Sequence, residues 1–330
     1  MKAFIRACAP NTVTSTGDFE EALRILEGGF VKITGPLVGF VNPSLRDYLT
    51  EYLKDDALLR EIAASTAETD FARAVWSHCK DIRLPADSLA VVATCFAKIA
   101  GDFLHLPVWI KTPGKYGNSL QQTGLSNTQR IELLIAWHQS SGDQRFSDLA
   151  LALARAPVDG LDSWRDGDDV IELIAKLRDG DYFDELTVAS ELANCLETAA
   201  IGMIHNCAPD DLEKISDAVE GWKQHLGSEI PQAVNEVIIR ECDEIERTVE
   251  SIDSESTLTE HIETLQKLAT RTRVSTAVVS RAVETVMERI AVVEGRSTRS
   301  SSPSVRASTP ETDKFDDVVL QNLFAPLIRR

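Results

Sequence analysis

"FVKITGPLVGFVNPSLRDYL", residues 30–49, is the stretch whose reading decides the fold. Phe30–Thr34 and Leu37–Val41 are short runs of β-branched and aromatic residues, and Gly35-Pro36 between them is a turn pair, so the stretch reads as a β-hairpin. Asn42-Pro43-Ser44 then ends the second strand and opens a helix, because proline in a first helical turn has no intrahelical hydrogen bond to lose. That helix is expected over residues 44–65, with Leu45, Leu49, Tyr52 and Leu53 as its apolar face. Upstream, residues 18–28 place Phe19, Ala22, Leu23 and Leu26 on one helical face, with Asp18 as cap and Gly28-Gly29 as the stop.

Outward from this unit the periodicity is helical almost throughout. Residues 87–104, "DSLAVVATCFAKIAGDFL", are apolar on nearly every side and read as one central helix. A Gly/Pro-rich loop is expected over residues 111–124, followed by helix after helix entered by Asp, Pro-Asp or Gly-Asp caps. The last three helices are expected over residues 231–252, 257–271 and 275–294, with acidic surfaces and heptad-like apolar positions that suit a bundle or a solenoid. Residues 295–312, rich in Ser, Thr, Arg and Pro, read as a flexible linker, and residues 313–330 regain an amphipathic stripe through Phe315, Val318, Val319, Leu323 and Phe324. No internal repeat of a known period is present.

With 330 residues, 43% of them hydrophobic, the chain can bury a large core. A net charge of −18 repels phosphate backbones and anionic membranes, so nucleic acid is not an expected partner; the arginines between Arg271 and Arg306 lack interleaved aromatics for stacking. Six cysteines without a CxxC pair, and the lack of an apolar signal segment, point to reduced thiols and a cytoplasmic location, and no apolar run reaches the roughly 20 residues of a membrane span.

Catalytic motifs are not evident. "TPGKYG" at residues 112–117 is not a phosphate loop, since Trp109 and Tyr116 stand where glycine and a serine or threonine are needed. The Asp clusters at residues 162–169 and 179–184 lack calcium-loop spacing, and none of the six histidines pairs with another at helical spacing, so no metal or cofactor is expected. The enzymatic alternative is a site assembled in space from His138, Trp137 and the acids of residues 165–184, or from a Cys-His pair such as His78-Cys79 or His205 with Cys207.

Residues 22–53 resemble the winged-helix portion of STAND-class NTPases, most closely the novel STAND NTPase 3 group, through Leu26-Glu27-Gly28, Phe30, Phe40, Asn42-Pro43-Ser44 and Arg46-Asp47-Tyr48-Leu49. The match covers about a tenth of the chain, and the final residues resemble the short acidic-then-Leu-Phe tail of such proteins. The resemblance implies a winged helix and a helical sensor array that work with a nucleotide-binding core absent from this sequence. Asn42 stands at the position where related proteins often carry a nucleotide-sensing histidine.

The expectation is therefore a mainly α protein: a partial winged-helix unit with a β-hairpin in residues 1–66, an α-helical sensor or scaffold array in residues 67–294, the linker, and the tail. It is expected to be a non-catalytic regulatory scaffold in bacterial conflict or defence. Phe30, Phe40, Leu45, Arg46, Tyr48, Phe315, Leu323 and Phe324 are expected to meet a protein partner, such as a separate NTPase core. A stand-alone helical enzyme and a degenerate fragment are the alternatives.

Overall fold

The computed structural model describes residues 21, 24–34, 37–42, 44, 53–114, 117–180, 187–272 and 274–300. The first hairpin forms where the alternation places it. β1 (Val31–Thr34) pairs antiparallel with β2 (Leu37–Phe40), Val31 opposite Phe40, and the Val41 N–H extends the ladder to the Phe30 carbonyl at 3.0 Å. Gly28 sits at φ +85°, a left-handed conformation that glycine adopts without a Cβ penalty, and its N–H reaches the Val31 carbonyl at 2.9 Å. Asn42 Oδ1 accepts from the Ser44 N–H at 3.0 Å, the local side-chain turn that favours asparagine before a helix start. Leu45, Arg46 and Tyr48 lie outside the described residues.

The rest is mainly helical. Helix α1 (Asp56–Ser65) starts at Asp55, whose carboxylate accepts from the N–H groups of Ala57 and Leu58 at 2.8 and 2.9 Å. The single helix expected from Ser44 is therefore divided: Leu53 and Lys54 form a turn and a new helix begins at Asp56. After α2 (Thr69–Asp81), the expected central helix also divides, into α3 (Ala86–Cys95) and α4 (Ala97–Asp102). The break is at Phe96, whose backbone leaves the helical region (φ −78°, ψ 0°) while its ring stacks on Trp137 at 4.5 Å.

The Gly/Pro-rich segment is not a loop. β3 (Trp109–Gly114) pairs antiparallel with β4 (Gly117–Gln122), and the Thr112 and Ser119 hydroxyls meet across the pair at 3.1 Å. These strands lack apolar alternation and contain proline, so local pattern hid them; long-range contacts at the hairpin root hold them. Beyond lie α5 (Asn127–Ser141), α6 (Gln144–Arg155), α7 (Ser163–Asp179), α8 (Ala189–Ile204), α9 (Pro209–Gly221) and α10 (Glu229–Asp243). They are followed by α11 (Ile245–Glu250), α12 (Glu255–Arg271) and α13 (Thr276–Ser300). The helix expected over residues 231–252 breaks at Glu244, and α13 runs to Ser300, six residues into the expected linker. Phe315, Leu323 and Phe324 lie outside the described residues.

The helices stack as pairs in two layers. One layer runs α3, α5, α7, α9, α12 and the other α4, α6, α8, α10, α13, each helix packing on the next in its layer. This is the arrangement of a solenoid, in which each pair buries its apolar stripe against its neighbours. One core runs through it from Leu59 to Val286, including Trp76, Phe96, Trp137, Ile171, Leu196, Ile238 and Leu265. Leu59, Ile62 and Ala63 of α1 join this core, whereas Val31, though only 6% exposed, does not. Among the described residues no helix is long and apolar enough to cross a membrane.

Candidate interaction surfaces

The central hairpin is rooted in a buried polar network. Arg130, fully buried on α5, donates from Nε to the Leu125 carbonyl (3.1 Å), from Nη1 to those of Phe103 and Leu106 (3.0 and 2.6 Å), and from Nη2 to that of Pro107 (3.2 Å). One guanidinium thus satisfies the carbonyls on both sides of the hairpin, which a buried backbone cannot leave unpaired. Burial first, and then the neighbouring charge of Arg165, lower its pKa to about 10.

Arg165, at the start of α7, completes the grip. Its Nη1 donates to the Val108 carbonyl at 2.8 Å and its Nη2 to the Gly124 carbonyl at 2.6 Å, and its guanidinium lies 5.3 Å from the Trp109 ring centroid. The carboxylates alongside are engaged with backbone N–H groups. Asp159 accepts from Val108 at 3.3 Å, and Asp166 from Thr128 at 2.8 Å and Asp162 at 3.1 Å. The acid cluster that invites a calcium reading is thus largely capping and bracing chemistry. Gly124, at φ +59°, lets the chain pass Thr69, whose hydroxyl accepts from the Leu125 N–H at 2.8 Å. A Cβ on Gly124 would stand 2.2 Å from that hydroxyl.

Outside this root the hairpin carries apolar side chains into solvent. Alternation from the register places Trp109, Lys111, Leu120 and Gln122 on one face. Leu120 is 63% exposed and Trp164, at the start of α7, 59%. Trp164 stacks on Trp109 with centroids 6.3 Å apart. Sequence reasoning passed over this surface because its residues are separated along the chain and the strands showed no period.

On the N-terminal hairpin, Phe30 is 51% and Phe40 46% exposed, with Ile25, Leu26 and Val41 also open to solvent. The two phenylalanines do not share a face. Phe30 and Val41 project to one side, while Phe40 projects to the other with Val31. The hairpin therefore offers two apolar sides instead of the single face expected.

Among the described residues weighed for an assembled catalytic site, Trp137, His138 and Asp166 are held apart. The Trp137 ring is fully buried among Phe96, Phe103 and Phe146, and His138 Nδ1 lies 3.1 Å from the Asp143 carbonyl at the C-terminal end of α5. Asp166 meets the opposite end of that helix at Thr128, ten residues away, or about 15 Å along the axis. His78 Nε2 approaches the Leu53 carbonyl at 3.3 Å, and His205 lies 3.9 Å from Glu236. Burial raises the thiols of Cys79, Cys207 and Cys242 to about 11, which keeps them as neutral thiols, the weaker nucleophilic form.

A groove of about 630 Å³ between α6, the segment before α7, and α8 is lined by Arg155, Leu161, Cys195, Ala199 and Met203 among others, with no histidine. Among the described residues no group of three or more His, Cys, Asp or Glu side chains is placed to hold a metal ion. The chain matches no family model, no curated protein and no solved structure.

Proposed function

We propose that this protein is a non-catalytic regulatory scaffold related to STAND NTPases, acting through protein contacts in bacterial conflict or defence. The observation that carries the reading is the exposure of Phe30 and Phe40 on a hairpin whose described residues lie outside the solenoid core. Aromatic side chains in solvent on both sides of a short hairpin favour a partner that covers them, because burying such a ring removes about 2 kcal/mol or more of unfavourable hydration. The resemblance in residues 22–53 supplies the partner's class, a nucleotide-binding core of the P-loop type, and the helical array would be its sensor. Asn42, in the position where related proteins carry a phosphate-sensing histidine, would then face that core as a neutral hydrogen-bonding group.

The test is recovery of partners from the native host with the intact chain, alongside Phe30→Asp and Phe40→Asp variants whose circular dichroism and melting match the parent. A P-loop ATPase recovered by the parent and lost from either variant supports the reading. Retention of the same ATPase by both variants, or its absence with the well-folded parent, rejects it.

A further inference from the structure

We propose that the face of the central hairpin formed by Trp109, Lys111 and Leu120, together with Trp164, is the docking site for the chain's own C-terminal segment, residues 315–324. The proposal concerns a different hairpin and a different occupant from the functional reading above, and neither depends on the other.

Three observations select this occupant. The first is the charge pattern. From Phe103 to Ile131 the sequence contains no aspartate or glutamate, in a chain whose net charge is −18, and Lys111 is exposed there. The C-terminal segment brings Asp316 and Asp317 between Phe315 and Val318-Val319, so acids and apolar anchors are interleaved. A lysine on the hairpin face next to Leu120 and Trp164 offers the complementary pairing of charge beside apolar contact. On the α7 side the carboxylates of Asp162 and Asp166 stand beside the Arg165 guanidinium, which offsets their charge.

The second is apolar complementarity. Two exposed tryptophan and leucine side chains on a rigidly held support are the kind of surface on which binding energy concentrates. The root network makes this support rigid, since Arg130 and Arg165 hold both of its ends. Phe315, Val318 and Val319 lie at helical spacing and would present one stripe to that surface.

The third is reach. Residues 301–314 give 14 residues between the end of α13 and Phe315, which span up to about 45 Å when extended. Neighbouring helices in a layer are about 10 Å apart, and α13 packs on α12, which packs on α9, which packs on α7, the helix that carries Trp164. Three such steps give about 30 Å between the axes of α13 and α7, within the extended reach of the tether. A single-stranded nucleic acid is the rival occupant suggested by exposed aromatics beside a lysine, and the acidic charge of the whole chain argues against it.

The experiment is zero-length coupling of the full-length chain with a water-soluble carbodiimide, which joins lysine amines to carboxylates in contact, followed by mass-spectrometric mapping. The chain is used as an equal mixture of unlabelled and nitrogen-15-labelled protein. We expect Lys111 joined to Asp316 or Asp317 within one isotopic form, with the yield falling about tenfold or more in Leu120→Ser and in Phe315→Ser. Serine adds no carboxylate that could itself couple to Lys111, and Trp164→Phe serves as a milder variant in which the coupling is retained in part. Absence of the Lys111 coupling, a yield equal to the parent's in both Ser variants, or coupling dominated by mixed isotopic pairs would overturn the intramolecular contact. So would oligothymidylate binding to the parent that is abolished by Leu120→Ser while the coupling yield is unaffected.

Discussion

The two hairpins of this protein are built in opposite ways. β1–β2 consists of residues that favour strands and turns, yet its Phe30 and Phe40 remain half in solvent and Val31, which is buried, is outside the main core. β3–β4 shows no apolar alternation, with Pro113 in one strand and mostly polar side chains along the other, yet its root is held by Arg130, Arg165, Asp159 and Thr69. The first is locally encoded, and its described residues lie outside the main core; the second is held from outside. Local propensity and tertiary anchoring are thus separate sources of order, and the surface with the stronger foundation is the one with the weaker local signal.

This contrast can be broken most severely at Arg130. Arg130→Met removes the donor to four carbonyls, two buried and two partly buried, so unfolding by guanidinium should show a loss of about 3–5 kcal/mol with little change in slope. An equal loss from Phe40→Asp would erase the proposed difference between the hairpins. Next in size, Gly124→Ala should cost about 2–3 kcal/mol, because alanine at φ +59° is strained and its Cβ collides with the Thr69 hydroxyl. Thr69→Val in the same assay loses only the hydrogen bond to Leu125 and should cost about 1 kcal/mol.

Alkaline pH tests the body that supports the second hairpin. The Cys79 thiol rises from an ordinary value of 9.0 to about 11 in the folded protein, mainly through burial. A group whose folded pKa is raised binds more protons in the folded state, so its contribution is complete below about pH 9 and is lost as pH rises towards 11. Denaturation at pH 8 and at pH 10.5 should therefore show lower stability at the higher pH, and Cys79→Ala should flatten that dependence. The smallest effect belongs to the first hairpin. Phe30→Asp should change global stability by less than about 0.5 kcal/mol, since the side chain is already half exposed.

Much of the helical framework follows from sequence because helix ends are local events. The capping box of Ser126 and Gln129, the Asp55 and Asp143 caps, and the stop at Gly142 with φ +68° each involve residues within a few positions of one another. The first hairpin is legible for the same reason: its alternation and its Gly35-Pro36 turn occupy a dozen residues. The breaks at Phe96 and Glu244 are not legible, because a run of helix formers carries no local mark where packing requires the axis to change. At Phe96 the ring lies against Trp137, 41 residues away in sequence.

Of the expected interface residues, Phe30 and Phe40 stand half in solvent, and the register shows that they face opposite ways. Sequence by itself determined the helical class, most helix boundaries and the first hairpin, since each depends on periodicity and capping within one or two turns. Tertiary structure decided the two-layer stacking, the second hairpin, and the bracing roles of Asp166 and Arg165 at its root. Those depend on hydrogen bonds between residues 38 to 57 positions apart, which no local pattern records.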